Sequence, residues 1–388
     1  MPQPSPKEGK TKLYKIIMIT IVLHIIILSY CLAIIALIYG FTKVNTINYI
    51  GLQPKTKFSI IVPFRNEAEN LPVLLDSLSK LDYPMELFEV ILVDDFSEEE
   101  FKVQSLKFKV SSINNIRVSN SPKKDAIVTA MQIVNTDWII TTDADCVVNK
   151  NWLLTLDNYI QLHNVSMIAG AITYDCNNSF LHQFQQLDLA SLQGATIGSF
   201  GIKKGFMCNG ANFAYTKSFF QKLNGFEGND GIASGDDVFL LQKAVCYRNF
   251  GTEKTHYLKS KNNIVITKPL NDWKSLFYQR VRWASKTSSY QSSFGKGLGI
   301  LVFMGNLSLV LSLAFSVLGL FSFLNILSLF ALKFGIDSVL IYKTHHFLNK
   351  NKIHYLIISS LIYPFFSVSV ALYSLYGKYE WKGRSFTN

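Results

Sequence analysis

Three long stretches without acidic or basic side chains constrain the fold of this chain more than any other feature. Residues 16–39, 298–332 and 355–377 contain no Asp, Glu, Lys or Arg. Each is long enough for a helix that crosses the ~30 Å hydrocarbon core of a bilayer. Only 17% of the 388 residues are charged, against roughly 25% in soluble proteins. We therefore expect a multi-pass membrane protein, which excludes a purely soluble enzyme and a disordered chain.

The polar middle of the chain is the one region large enough for a globular domain. We predict a membrane anchor over residues 1–44, a catalytic domain over 45–290 and a C-terminal membrane region over 291–388 with two or three spans. The stretch 298–332 is slightly shorter than the length of about 40 residues that two spans need. We favour two spans within that stretch and one at the end.

The net charge of +11 is explained by the membrane. Basic side chains flank the apolar stretches: Lys7, Lys10, Lys12 and Lys15 before the first, and Lys333, Lys343, Lys350 and Lys352 between the last two. Anionic lipid headgroups favour such flanks. Because no nucleic-acid reader motif accompanies the charge, we expect a membrane partner and no nucleic acid polymer.

Short apolar runs alternate with helical patterns in the first half of the middle region. The predicted strands are 58–64, 88–93, 113–118 and 138–141, and the predicted helices between them are 67–80 and 125–134. Such alternation predicts parallel strands joined by crossover helices, an α/β fold. Ligands of these sheets bind beyond the carboxyl ends of the strands.

Acidic pairs follow two of the predicted strands at that edge. Asp94 and Asp95 end the second strand, and Asp143 and Asp145 follow the fourth. Each pair alone is also typical of a solvated turn. Their joint occurrence favours a site in which one pair binds a nucleoside and the other binds Mg²⁺ or Mn²⁺ with a diphosphate, because these ions prefer oxygen ligands. Lys124 opens the intervening helix, either near the phosphates or as a solvated helix start.

Two downstream clusters carry candidate acceptor and catalytic residues. Asn209, Gly210 and Ala211 form a segment where glycine allows close approach of a ligand to the backbone. Asp236 and Asp237 precede an apolar helix, either as an N-cap or with one carboxylate as the general base that takes a proton from an acceptor hydroxyl.

Two further segments are predicted to be helices that lie close to the membrane. Gln279, Arg282 and Trp283 lie on a helix just before the C-terminal membrane region, where they serve as an interfacial anchor or bind a diphosphate and a sugar ring. Residues 179–200 form either a core-packed helix or an amphipathic helix at the bilayer surface.

Five motifs in this order resemble those of the membrane-bound family 2 glycosyltransferases, which have the GT-A fold. They are residues 61–67 with Pro63 and Glu67, the VDDxS element with Asp94 and Asp95, the DxD of Asp143 and Asp145, the acidic pair Asp236–Asp237, and the QxxRW motif of Gln279, Arg282 and Trp283. Residues 381–384 also resemble an ending found in some membrane members. Two departures are that Asp236 replaces a commoner glutamate, and that the glycine usual before the helix-opening lysine is missing at Lys124.

The resemblance implies a role for each motif. Asp94 and Asp95 would hold uracil and ribose, Asp143 and Asp145 the divalent cation and the diphosphate, and Asp237 would be the general base. Pro63, Glu67, Lys124, Gln279, Arg282 and Trp283 complete the expected donor site, and Asn209, Gly210 and Ala211 the expected acceptor site.

The implied function is inverting, hexosyltransferase-type transfer from a nucleotide sugar, expected to be a uridine one, to a lipid-linked or saccharide acceptor in the cell envelope. Because nucleotide sugars are cytosolic, we expect a cytosolic catalytic domain on the cell membrane (the inner membrane in a bacterium). The alternatives are a processive exopolysaccharide synthase, a non-catalytic sugar-nucleotide-binding membrane protein and a transporter. Three C-terminal spans would carry Trp381 away from the site, and an even number would return it.

Overall fold

The computed structural model describes residues 6–48, 51–99, 101–102, 106–229, 232, 234–247, 254–349, 351–377, 379–381 and 384–386. The helices are α1 (Pro6–Lys43), α2 (Leu71–Ser79), α3 (Pro122–Met131), α4 (Trp152–Leu162), α5 (Phe180–Gly201), α6 (Lys217–Lys222), α7 (Asp236–Cys246), α8 (Trp273–Ser285), α9 (Ser293–Val317), α10 (Phe323–Leu348) and α11 (Leu356–Tyr376). The strands are β1 (Phe58–Phe64), β2 (Phe88–Asp94), β3 (Lys109–Asn114), β4 (Trp138–Thr141), β5 (Met167–Gly170), β6 (Ile172–Tyr174), β7 (Phe213–Thr216), β8 (Thr255–Leu258), β9 (Val265–Thr267), β10 (Tyr379–Trp381) and β11 (Arg384–Phe386).

The catalytic region is built on a seven-stranded sheet in the order β3-β2-β1-β4-β7-β5-β8. Strands β1 to β4 pair in parallel, as predicted, and β7 runs antiparallel to both β4 and β5. Apolar clusters cover both faces of the sheet. This is why β1 and β2 read as nearly continuous apolar runs instead of alternating ones. The α/β prediction is confirmed.

One predicted strand was misplaced. The expected strand 113–118 is β3, which begins and ends four residues earlier, at Lys109 and Asn114. The backbone N–H groups of Val118 and Ser119 instead donate to the Asp125 carboxylate, at 3.2 and 3.0 Å. The chain therefore leaves the sheet early to wrap around the first turn of α3.

Within the described residues, four helices are long and apolar enough to cross a membrane: Tyr14–Lys43 within α1, and α9, α10 and α11. The two spans expected inside 298–332 correspond to α9 and α10, but these helices extend beyond that stretch, from Ser293 to Leu348. The helix α10 accommodates charge by pairing. Lys333 Nζ lies 2.6 Å from Asp337 Oδ2, and the Tyr30 hydroxyl of α1 donates to Asp337 Oδ1 at 2.6 Å. Ionisable side chains within a span are typically paired in this way.

The C-terminal end of the chain lies against the QxxRW helix. Three helices follow the catalytic region, yet β10, which contains Trp381, contacts α8. The expectation that three spans would separate them is therefore wrong, because α11 itself packs along α8. Lys382 and Gly383 of the same motif lie outside the described residues.

Glycines bring α1 and α5 into close contact. A Cβ built on Gly198 would lie 2.3 Å from the carbonyl oxygen of Leu37, and one on Gly40 would lie 2.0 Å from the carbonyl oxygen of Gly198. Real Cβ atoms do not approach a backbone oxygen so closely. The N-terminal membrane helix is thus docked directly on a helix of the catalytic region.

We predict that Gly198→Leu separates α1 from α5 and destabilises the protein by about 1–3 kcal/mol, the usual cost of overpacking. Thermal unfolding of the purified protein in detergent measures this as a lower Tm. Gly335→Leu is the matched control, because Gly335 is also helical and a Cβ there meets nothing within 4 Å. Equal Tm values for the two variants would contradict the close contact.

Candidate active site

The loops after β1 and β2 are hydrogen-bonded to each other at the carboxyl edge of the sheet. Arg65 Nη1 donates to the carbonyl oxygens of Asp95 and Phe96, at 2.8 and 2.5 Å. The backbone N–H of Asn66 donates to Ser97 Oγ at 2.9 Å. Asn66 and Phe96 both have positive φ, so each loop turns sharply at the strand end. The two loops therefore form one rigid edge.

The carboxylates of the VDDxS element have different surroundings within that edge. Asp94 Oδ1 accepts from the N–H and hydroxyl of Ser97, at 3.0 and 2.6 Å. Asp95 is buried, and its Oδ1 accepts from Asn115 Nδ2 at 2.7 Å and faces Arg117 Nη1 at 3.5 Å. The Asp94 side chain thus closes its own loop, whereas Asp95 is held by neighbouring elements.

Pro63 and Glu67, from the first motif, lie at and just beyond the end of β1. Pro63 is the second-last residue of that strand. Glu67 precedes α2 and accepts from Asn70 Nδ2 at 2.5 Å. Both residues are thus at the same sheet edge as Asp94 and Asp95.

Lys123 lies among the carboxylates of the second site. Its Nζ is 2.6 Å from Asp143 Oδ1 and 3.5 Å from Asp236 Oδ2. Burial alone would lower the Lys123 pKa, but Asp143 and Asp236 outweigh burial and raise it above its usual value. The side chain is therefore a fixed cation that neutralises acids from the β4 edge and the α7 start. We call Lys123, Asp143, Asp236 and Asp237 the acid cluster.

The structure places Lys124 elsewhere, in neither of the two positions expected for it. It is buried, and its Nζ donates to the carbonyl oxygens of Asn229 and Ile232, at 2.5 and 3.0 Å. Because α3 begins at Pro122, the two adjacent lysines point in different directions from the helix. Lys123 reaches the acids and Lys124 holds the loop before α7.

Asp237 is held by backbone donors from two segments. Gly210 N–H donates to its Oδ2 at 2.9 Å, and Val238 N–H donates to its Oδ1 at 2.7 Å. Lys286 Nζ, from the turn that follows α8, lies 3.8 Å from Oδ1. The expected acceptor segment is therefore adjacent to the expected base. Sequence analysis did not single out Lys286, which lies far from Asp237 along the chain.

The environment separates the two neighbouring acids in proton affinity. Burial raises the pKa of Asp236, and the nearby Asp237 and Asp143 add to that rise against the opposing effect of Lys123. Burial also favours the neutral form of Asp237, but Lys286, Lys123 and the two backbone N–H groups outweigh it and lower the pKa of Asp237. Such a divergence is typical of carboxylates with different chemical roles. Asp237 is therefore the more acidic of the two.

The cluster depends on two glycines. A Cβ on Gly210 would lie 2.9 Å from Asp236 Oδ2 and 3.2 Å from Lys123 Nζ. Gly235 has a φ of +84° at the N-cap of α7, a conformation that favours glycine. It places both acids in the first turn of α7, where the positive end of the helix dipole stabilises negative charge.

The QxxRW helix α8 is anchored through a residue that sequence analysis did not single out. Arg280 is buried, and its Nε lies 2.6 Å from Asp188 Oδ2 on α5. The Tyr363 hydroxyl on α11 donates to the other oxygen of the same carboxylate at 3.0 Å. Gln279 Oε1 accepts from Arg280, and Trp283 lies with its ring 4.3 Å from the guanidinium carbon. Arg282 is partly buried on the same helix.

A divalent cation fits the chemistry of the DxD carboxylates. Among the described residues no group of three or more His, Cys, Asp or Glu side chains could hold a metal ion on its own. Mg²⁺ and similar ions typically take one or two carboxylates and complete their shell with substrate phosphates and water. Asp143 and Asp145 offer such oxygens, and Asp145 Oδ2 is oriented by the Thr267 hydroxyl at 3.1 Å.

Comparison with known proteins shows what this chain is similar to. Residues 59–223 match the family described as glycosyl transferase family 2. Over that part the chain is similar to family 2 glycosyltransferases. It also has the fold that its motifs predict, because it superposes on the mannosyltransferase PcManGT from Pyrobaculum calidifontis, solved with GDP-Man and Mn²⁺. That match has a TM-score of 0.54 at 13% identity, over 93% of this chain and 99% of the other.

Curated relatives match shorter parts of this chain. Human polypeptide N-acetylgalactosaminyltransferase 10 is 28% identical over 156 residues, which is 39% of this chain and 25% of the relative. The undecaprenyl-phosphate 4-deoxy-4-formamido-L-arabinose transferase of Photorhabdus laumondii subsp. laumondii is 36% identical over 94 residues, 23% of this chain and 29% of the relative. The chain thus spans about a quarter of the length of the relatives it matches.

We predict that Lys123→Met leaves the acids of the cluster uncompensated and destabilises the protein by about 1–3 kcal/mol, as expected when a partly buried charged group loses its hydrogen-bonded partner. Added Mn²⁺ should then raise the Tm of this variant more than that of the wild type, because the ion replaces the lost positive charge. Thermal unfolding with and without Mn²⁺ measures both effects.

Lys150→Met is the control, since Lys150 is an exposed lysine in the turn before α4. It should change neither the Tm nor its response to Mn²⁺. A Lys123→Met protein that is as stable as the wild type, with an unchanged Mn²⁺ response, would refute the central place of Lys123.

Proposed function

We propose that this protein is an inverting glycosyltransferase that moves a hexosyl group from a nucleoside diphosphate sugar, with uridine as the expected nucleoside, to a hydroxyl of a lipid-linked acceptor in the membrane. The main support is the state of Asp237, a partly buried carboxylate kept ionised beside Gly210 and a fixed cation. A general base for acceptor activation needs that combination of ionisation and access.

The reaction follows from the positions of these residues. Asp237 takes the proton of the acceptor hydroxyl while that oxygen forms a bond to the anomeric carbon of the donor. The bond from that carbon to the diphosphate oxygen breaks on the opposite face, which inverts the configuration.

Negative charge that develops on the leaving diphosphate requires positive partners. In this proposal Lys123 turns from Asp143 to the diphosphate when the donor binds, and Arg282 and Gln279 of α8 approach it from the membrane side. A divalent ion held by Asp143 and Asp145 would neutralise charge on the diphosphate. Preorganised charge of this kind supplies the largest share of catalysis in many enzymes.

Several features of the membrane side favour a lipid-linked acceptor. The helix α5 is packed between α1 and α10, and it also holds α8 through the contact between Asp188 and Arg280. The site is thus tied to helices that are apolar enough to enter the bilayer. One matched relative is named for transfer to undecaprenyl phosphate, which is such a lipid. With four candidate spans a wide polymer channel is a poorer fit, so we favour single transfer over processive synthesis.

A non-catalytic nucleotide-sugar-binding protein is the second candidate. It would keep the loops that hold Asp94 and Asp95 but has no need of an ionised Asp237. Likewise, a transporter would not need the convergence of α3, α7 and the turn after α8 on one point. The acid cluster therefore favours an enzyme.

Asp237→Asn tests the base. We expect transfer to fall by at least about 10²–10³-fold, the loss usual for removal of one group that stabilises or activates the reacting centre, with nucleotide binding unchanged. Transfer is measured as nucleoside diphosphate release with membrane extract as acceptor, and binding by calorimetry. Asp76→Asn, at an exposed position on α2, is the control. A variant that retains turnover would overturn the base assignment.

The donor and the number of sugars added are tested together. Purified membranes are incubated with a panel of UDP and GDP sugars, and the lipid-extracted product is analysed by mass spectrometry. We expect release of UDP from one of the donors and a lipid product that carries a single added hexose. A ladder of products would show processive synthesis, and the absence of release from any donor in the panel would support the non-catalytic alternative.

A further inference from the structure

A groove lies at the C-terminal end of α10, outside the acid cluster. It has a volume of about 720 Å³. Its walls come from α10 and from the segment that leads into α11, and they include Ser338, Tyr342, His345, His346, Lys352 and Ile353. None of its lining residues belongs to the donor or acceptor sites described above.

Two polar atoms in the wall of this groove have no hydrogen-bond partner. His345 is 3% exposed, and its Nδ1 is unpaired, as is the buried Ser338 Oγ. His345 Nε2 lies 2.9 Å from the carbonyl oxygen of Asn351. Because a carbonyl only accepts, Nε2 donates there and Nδ1 is left unused. Buried polar atoms almost always have a partner, so two such atoms in one groove indicate a ligand.

The surroundings of the groove are basic. Residues 338–356 contain three lysines and three histidines and no acidic residue. The acids on the elements packed against it already have partners, because Asp337 pairs with Lys333 and Asp188 pairs with Arg280. The groove therefore favours a ligand with negative charge.

The groove lies where the membrane meets the catalytic region. Phe347, at the end of α10, packs in the core below the catalytic sheet. Lys259, the residue directly after β8, contacts both α10 and α1. Its Nζ lies 5.8 Å from the Phe347 ring and 3.2 Å from the Phe41 carbonyl oxygen. The exposed Tyr342 stacks on His346 at 6.3 Å, an amphipathic pair of the kind found at bilayer interfaces.

The polar side chains of the groove are spread along α10. Lys352 and His346 line the groove near the C-terminal end of this helix. Ser338 is seven residues before His345 on the same helix, about 10 Å further from that end at 1.5 Å per residue. Ile353 and the other apolar walls would face acyl chains. A free phosphate ion would leave Ser338 and these walls without a partner.

We propose that this groove binds an anionic phospholipid from the leaflet beside the catalytic region, with the phosphate at Lys352 and His346 and the glycerol ester region at His345 and Ser338. Basic pockets between membrane helices are a known type of lipid-headgroup site. The proposal does not depend on the glycosyltransferase reaction, since it concerns binding alone.

The test uses the full chain in nanodiscs of phosphatidylcholine that contain a minor fraction of phosphatidylglycerol. Native mass spectrometry counts the phosphatidylglycerol molecules that stay on the released protein. We expect the wild type to retain one in preference to phosphatidylcholine. The double variant Lys352→Gln, His346→Gln should bind it at least about tenfold more weakly, because charge-assisted contacts to the phosphate are lost. Ser338→Ala, which keeps the helix intact, should also weaken retention.

Lys296→Gln is the matched control. It removes the same charge from an exposed position in the first turn of α9, away from the groove, and should leave retention unchanged. An equal loss in the control would show general attraction to charged lipid and overturn the site. Wild-type protein that retains both lipids equally, or phosphatidylglycerol that inorganic phosphate displaces, would also overturn it.

Discussion

The ion pairs of Lys123 are the interaction on which the rest of the site depends. Asp143 comes from the end of β4 and Asp236 from the start of α7, and Lys123 contacts both from the first turn of α3. Without a cation, these carboxylates and Asp237 would repel one another, and some would have to take up protons. The lysine allows the acids to remain close to one another before any substrate arrives. Gly210 is required because a side chain there would occupy the same space.

The same site is coupled to the membrane by the turn that follows α8. This turn brings Lys286 to Asp237. The buried Gln242 of α7 then accepts from the N–H groups of Gln291 and Ser292, at 2.6 and 3.1 Å, which fixes the start of α9. A shift of α9 relative to the sheet would therefore move a cation beside the proposed base. Membrane helices and catalytic residues form one structural unit here, and the attachment is more than an anchor.

Most of the fold follows from local patterns in the sequence. The strands β1, β2 and β4 are continuous apolar runs that end in polar residues, so length and composition define them. Two features could not be predicted locally. The segment at Val118 looks like a strand but bonds to Asp125, a tertiary choice. The helix α10 contains Lys333 and Asp337. A prediction based on uncharged runs therefore ends this span at residue 332, before the helix itself ends. Their mutual contact, four residues apart on one helix face, is the signal that shows the span continues.

For the site, sequence analysis named carboxylates that the structure brings together, but it named Lys124, whereas the lysine beside those carboxylates is Lys123. Adjacent residues in a helix point about 100° apart, so the choice between Lys123 and Lys124 depends on what surrounds α3. One neighbour is the acid cluster, and the other is a pair of carbonyl groups at Asn229 and Ile232. Both environments suit an ammonium group, and each lysine satisfies one. The doubled lysine is therefore explained as two separate requirements, one for charge in the site and one for holding the loop that carries α7. Neither lysine can replace the other, because one side chain of α3 cannot reach both the acid cluster and the two carbonyl groups.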